Sequence, residues 1–220
     1  MRQLAFDLGQ RKALGREDFF VSPPNAEAVA WVDRWPDWPA RALALHGPSG
    51  CGKTHLALVL RAKARGRLLP AADLDPAAVG EMADNGALVL EQADEAGERA
   101  LLHLLNLHRE RGGTILLTAE SPPARWRVAL PDLASRLAAA PAVSMGPPDD
   151  ALLSAVLIKH FSDHQLTVAP EALAYIAARL ERSFEAARVA AAALDQAALA
   201  ERRAITIPLA RRVLGFASNG

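Results

Sequence analysis

The residues best suited to chemistry in this chain are Gly47-Pro48-Ser49-Gly50-Cys51-Gly52-Lys53-Thr54. They fit the pattern G-x-x-x-x-G-K-[ST], a turn whose glycines let successive backbone N–H groups close around a phosphate. Lys53 brings an ammonium to the β- and γ-phosphates, the Thr54 hydroxyl suits a Mg²⁺ ion, and His55 follows on the same segment. The flanks agree with this reading. Residues 42–45 read as a buried strand, and 54–65 as a helix whose N-terminal dipole points at the anion. The alternative is a glycine-rich turn that fits by chance, and the flanking strand and helix weigh against it. The expected ligands are ADP or ATP with Mg²⁺.

Other segments offer groups to complete such a site. Ala87-Leu88-Val89-Leu90-Glu91-Gln92-Ala93-Asp94 is an apolar run ending in acids, as a metal site opposite a phosphate loop requires. Glu91 takes the place of the metal-side carboxylate. Gln92 stands where hydrolysing proteins of this class carry the acid that activates water, and an amide cannot accept a proton at neutral pH. Intrinsic hydrolysis is therefore expected to be weak or absent. Asp94, two residues on, is expected to stand elsewhere, and a solvated strand end is the plainer reading of both acids. Residues 114–118 form a further strand-like run ending in polar groups, so Thr118 or Glu120 are candidate sensors of the γ-phosphate or its water. The competing reading is a strand running out into the turn at Pro122-Pro123. Arg136, in Leu130-Pro131-Asp132-Leu133-Ala134-Ser135-Arg136-Leu137, is either a surface charge paired with Asp132 or a cation offered to a neighbouring protein's nucleotide.

These residues need a scaffold, and the chain predicts one. Pro23, Pro24, Pro36 and Pro39 keep the first forty residues irregular, apart from one helix over 25–37 capped by Asn25. Strand-like runs at 42–45, 67–69, 87–90, 114–118 and 142–145 alternate with helical patterns at 54–65, 76–84, 96–111 and 131–138. That alternation predicts an α/β fold, a parallel sheet sandwiched by helices. Gly146-Pro147-Pro148 then breaks the chain, and helices are expected at 149–163, 170–181, 183–202 and 208–215 with no strand among them. The expected layout is a tail over 1–20, a nucleotide-binding α/β domain over 21–147 and a small all-α lid over 148–220.

Composition narrows the classes. The chain has 220 residues, enough for one large domain with an appendage, and 51% of them are hydrophobic. Lys plus Arg and Asp plus Glu both number 25, so no overall basic field draws DNA or anionic lipid. The single cysteine, Cys51, excludes a disulfide scaffold within the chain and fits a reducing cytoplasm. No apolar run approaches the ~20 residues of a membrane span, so no membrane partner is expected.

Together the loop 47–54, the strand 88–94, the segments 117–123 and 130–137, and the closing Ile205-Thr206-Ile207-Pro208 resemble the AAA+ module of the DnaA family. The likeness covers essentially the whole chain and is nearest to the DnaA-related regulatory inactivators. It implies an AAA+ P-loop fold with a helical lid, and an arginine finger at Arg136. It also implies a preference for ADP. The initiator carries a further DNA-binding domain, and a chain ending at Gly220 is expected to lack it. Gln3-Leu4-Ala5-Phe6-Asp7-Leu8 is similar to the peptide by which such proteins dock on the β sliding clamp. An extended tail would place Leu4, Phe6 and Leu8 in an apolar groove, with the Gln3 amide at its edge. The alternative is a tail folded onto its own domain.

Two departures from the family stand out. Besides Gln92, the lid position that carries the sensor 2 arginine falls on Glu185, a charge that repels phosphate. Arg182 or Arg188, each three residues away, are the candidate substitutes. The resemblance implies a negative regulator of replication initiation: bound to ADP and to the DNA-loaded clamp, it stimulates hydrolysis of DnaA-bound ATP through Arg136. DNA would be met only indirectly through the clamp, and a homo-oligomer is possible. The alternatives are an autonomous ATPase (a loader or remodeller) and an adaptor that binds the replisome without activating hydrolysis.

Overall fold

The computed structural model describes residues 19–82, 85–201 and 203–216. The clamp-type peptide at Gln3, Leu4, Phe6 and Leu8 lies outside the described residues.

Five runs of apolar residues form one parallel sheet: β1 Ala42–His46, β2 Arg67–Pro70, β3 Ala87–Glu91, β4 Thr114–Ala119 and β5 Ala142–Ser144, in the order β2-β3-β4-β1-β5. Strands covered on both faces read as near-continuous apolar runs, and all six residues of β4 are buried. Alternation along each strand then divides the core. Leu43, Leu45, Val89 and Leu116 join one apolar cluster with α1 (Ala26–Asp33) and α2 (Lys53–Ala64). Ala44, Leu88, Leu90, Ile115 and Leu117 join the opposite cluster with α4 (Glu98–Glu110) and α5 (Pro131–Ala139). Between β2 and β3, where a helix over 76–84 is expected, residues 76–78 form a turn and α3 runs Val79–Met82. The α1 helix likewise stops at Asp33, ahead of the turn that leads into Pro36.

The last third is helical: α6 Asp150–Asp163, α7 Pro170–Ala177, α8 Phe184–Glu201 and α9 Ile207–Leu214. Its own core includes Leu153, Leu157, Phe161, Ile176, Leu194 and Leu209. Starts are marked locally. The Asp149 carboxylate accepts from the Leu152 N–H at 2.8 Å, the Ser183 hydroxyl accepts from the Ala186 N–H at 3.0 Å, and prolines open α7 and α9. A single parallel bridge, Val168 to Ile205, is the one β-type pairing described in this part. No helix among the described residues is long and apolar enough to cross a membrane.

Leu116 is fully buried at the centre of the sheet, against the α1 and α2 side. Leu116→Ala is expected to cost about 2–5 kcal/mol, read as a lower midpoint in chemical denaturation with an unchanged slope.

Candidate functional site

The phosphate-loop sequence emerges from the carboxyl end of β1, the sheet edge where α/β proteins collect ligands. The loop's path is set by close contacts. A Cβ at Gly47 would meet the Met145 carbonyl oxygen at 2.1 Å, and Gly52, at φ 99°, lies where a Cβ would come within 2.8 Å of the Phe184 ring. Cys51 turns inward into the core, and burial pushes its thiol above its ordinary range against the opposing pull of Lys53. The cysteine is thus a packing residue, protonated at neutral pH. The helix that follows, α2, carries no side-chain cap, so its first N–H groups point outward as a donor set for an anion. The Lys53 ammonium donates to the carbonyl oxygens of Gly47 and Pro48 at 2.7 and 3.0 Å, which holds it over the loop.

A cavity of about 970 Å³ opens beside this loop, between the sheet edge and the lid. Ser49, Gly50, Gly52, Lys53, Thr54 and His55 line it, while Gly47, Pro48 and Cys51 shape the loop from behind. Glu91 and Gln92 from the end of β3, and Thr118 and Glu120 from the end of β4, line it too. The order β3-β4-β1 brings these groups together, since β4 lies directly between the other two strands. Gln92 has a left-handed backbone (φ 54°), and its amide donates to Glu95 at 3.3 Å. Asp94 joins the lining at a place distinct from position 92. The turn of Ala93–Glu95 brings both Asp94 and Glu95 to the cavity wall. The fit to a nucleotide and its metal rests on these groups: outward N–H donors, the Lys53 cation, the Thr54 hydroxyl and carboxylates within one cavity.

At the end of β1, burial lowers the His46 pKa below its ordinary value, and the positive charges of Arg125 and Lys53 add to the effect. His46 is thus a neutral imidazole at pH 7.

The lid supplies the remaining wall. The Phe184 N–H donates to the Gly50 carbonyl at 3.0 Å, so the start of α8 is bonded directly to the loop. Glu185 lines the cavity, as expected, but not as a bare negative charge. It holds Arg188 through two hydrogen bonds, 2.9 and 2.5 Å, and this pairing raises the Arg188 pKa. Arg188 also lines the cavity. Arg182 does not: it pairs with Asp150 at 2.9 Å and is no part of the wall. Of the two substitutes, only Arg188 is positioned to meet a ligand.

Sequence reasoning missed the apolar end of the cavity. Phe19, Phe20, Leu58, Leu152 and Val156 come from three separate stretches, and Phe19 stacks edge-on against His55 at 5.2 Å between centroids. Flat apolar walls of this kind suit a nucleobase. No local pattern announces them, because their proximity is created by the fold.

Arg136 stands apart from this cavity. Its helix is registered by Glu98, whose carboxylate accepts from the Ala129 and Leu130 N–H groups at 2.9 Å each. Leu133 and Leu137 bury the inner face of α5 and leave Arg136 half-buried beside them. Among the described residues Arg136 has no hydrogen-bond or ion-pair partner, Asp132 included.

Comparison with known proteins follows from this geometry. Residues 150–214 match the family described as "Hda, lid domain". Domain III of the Thermotoga maritima replication initiation protein DnaA superposes with a TM-score of 0.76 at 17% identity, covering 92% of this chain and 95% of that one. Residues 150–214 are thus a lid of the Hda type, and the chain as a whole has the fold of DnaA domain III. AMPPCP-bound DnaA from Aquifex aeolicus gives a TM-score of 0.64 at 17% identity, over 79% of this chain and 62% of that one. A Thermotoga maritima RuvB variant gives 0.71 at 15%, over 89% and 70%. At these identities the superpositions speak to the fold, a parallel sheet with helices followed by a helical lid.

Lys53→Ala is expected to abolish binding of a fluorescent ADP analogue. It should also remove the stabilisation that ADP gives the wild type, about 3–4 kcal/mol at 100–1,000 times Kd, read as loss of the ADP-induced rise in unfolding temperature.

Proposed function

We propose that this protein is a negative regulator of replication initiation that holds its own nucleotide as a ligand and acts on the nucleotide of DnaA. The observation that carries the reading is the separation of two sites. The cavity has phosphate-binding donors but an amide, Gln92, where a water-activating acid is expected. Arg136, in contrast, stands outside that cavity with its guanidinium uncommitted among the described residues.

In this reading the loop N–H groups and Lys53 bind the phosphates of ADP or ATP, and Thr54 and Glu91 would hold Mg²⁺. When bound, that ion neutralises phosphate charge. Thr118, Glu120 and Arg188 flank the phosphates. The Arg188 guanidinium, oriented by Glu185, offers a cation at the lid side while the Glu185 charge is offset. Phe19 and Phe20 shelter the base. With no general base at position 92, the chain's own turnover is slow.

Arg136 then completes the catalytic site of a neighbouring DnaA. A guanidinium delivered there meets charge that develops fully only in the transition state, so it accelerates hydrolysis without tightening ground-state binding. DnaA itself supplies the group that orients water. The N-terminal peptide Gln3–Leu8 brings the protein to the β sliding clamp, so DNA is engaged only through the clamp, in the cytoplasm at the replisome. Asp94 and Glu95 on the cavity wall favour one second reading, an autonomous ATPase in which either carboxylate orients water.

The test is a reconstituted hydrolysis assay with ATP-bound DnaA, clamp-loaded DNA and this chain, each omitted in turn. Arg136→Ala is expected to fold, bind ADP and reduce stimulation by on the order of 10³–10⁵-fold, with poor rescue by lysine, whose point charge lacks the planar fork. Full stimulation by a folded Arg136→Ala variant would overturn the proposal.

A further inference from the structure

His160, His164 and Asp195 meet in the lid, with one potential ligand atom from each lying within 4.8 Å of the others. His160 and His164 are four residues apart at the end of α6, so one helical turn sets both rings on the same side. Their rings stack at 4.6 Å between centroids, 17° from parallel. Asp195 comes from α8 and is buried, with 8% of its surface exposed, where an unpaired carboxylate is costly. Its Oδ2 accepts from His164 Nδ1 at 2.6 Å, whereas its Oδ1 is buried without a hydrogen-bond partner. Nε2 of His160 is likewise buried and unpartnered. Two buried, unpartnered polar atoms in one cluster are uncommon in a folded core and ask for a partner.

We propose that these three residues form a binding site for a divalent transition metal of the zinc class. Two imidazoles and a carboxylate match the borderline preference of Zn²⁺, Co²⁺ or Ni²⁺ and not the all-oxygen preference of Mg²⁺. Ligand atoms around tetrahedral zinc stand about 3.4 Å apart, given bonds of about 2.0–2.2 Å. Reaching that spacing takes small side-chain rotations, for which the 38% exposed His164 side chain has room. Three protein ligands leave a position for water, and both histidines line the large cavity.

The consequence is mechanical. The metal ties the end of α6 to the middle of α8, the helix whose first N–H is bonded to the Gly50 carbonyl. Zinc would therefore brace the lid element that touches the phosphate loop, at a place separate from the Thr54 and Glu91 site.

The experiment is calorimetric titration of the full chain with ZnCl₂ in the absence of nucleotide and Mg²⁺, beside His160→Gln and Asp195→Asn. Wild type is expected to bind zinc and to unfold at a higher temperature with it, and each variant to lose affinity by roughly 100-fold or more, beyond the loss seen for outer-shell partners. Folded variants with wild-type affinity, or a wild type that binds no zinc, would overturn the site. Should either variant fail to fold, the imidazole NMR signals of the wild type decide. Zinc must shift those of both His160 and His164, and shifts confined to other histidines would refute the assignment.

Discussion

The phosphate loop is held from two sides, and the rest of the structure depends on that grip. On the sheet side, Gly47 passes so close to the Met145 carbonyl that no side chain fits. On the lid side, the Gly50 carbonyl accepts from the Phe184 N–H, and the Phe184 ring covers Gly52. A loop held open this way keeps its N–H groups aimed outward before any ligand arrives, so little ordering cost is left for binding. The same bond makes the lid a reporter of the loop. Anything that moves the start of α8 must lengthen or break its hydrogen bond to Gly50 of the loop.

Electrostatics divide the molecule's charged groups into two roles. Inside the cavity, cations are held in place: Lys53 by two loop carbonyls and Arg188 by Glu185. Outside it, Arg136 has no such restraint among the described residues. A cation already held by its own chain is positioned in place, whereas an uncommitted one breaks no bond of its own chain on meeting a partner. Position 92 reinforces the division, because an amide can hold a water by hydrogen bonds but cannot take its proton.

Much of the fold was legible from pattern alone. Strand positions followed from apolar runs that alternate with helical periodicity, and each of the five sits within about a residue of its expected place. The glycine and lysine spacing of residues 47–54 located the loop because its chemistry is local. What was not legible depends on distant contacts. Arg182 and Arg188 are equivalent by spacing from Glu185, and only the pairing of Arg182 with Asp150, thirty-two positions earlier, removes it from the cavity. That Asp94 and Glu95 line the cavity depends on a short turn of 3₁₀ helix after β3, which the apolar run before it does not announce. The 76–84 segment has helical composition, yet its first three residues form a turn and the helix begins only at Val79. The histidine cluster needs α6 and α8 to pack, which no window of sequence reveals.

The claim that this protein keeps its nucleotide and spends its arginine elsewhere is most directly tested by ATP turnover of the purified chain alone, with Mg²⁺ and saturating ATP. The account predicts hydrolysis far below the ~1 s⁻¹ at which ordinary enzymes begin, even though the nucleotide is bound. Sustained turnover at or above that rate, abolished by Asp94→Asn or Glu95→Gln, would contradict it and establish an ATPase in its own right.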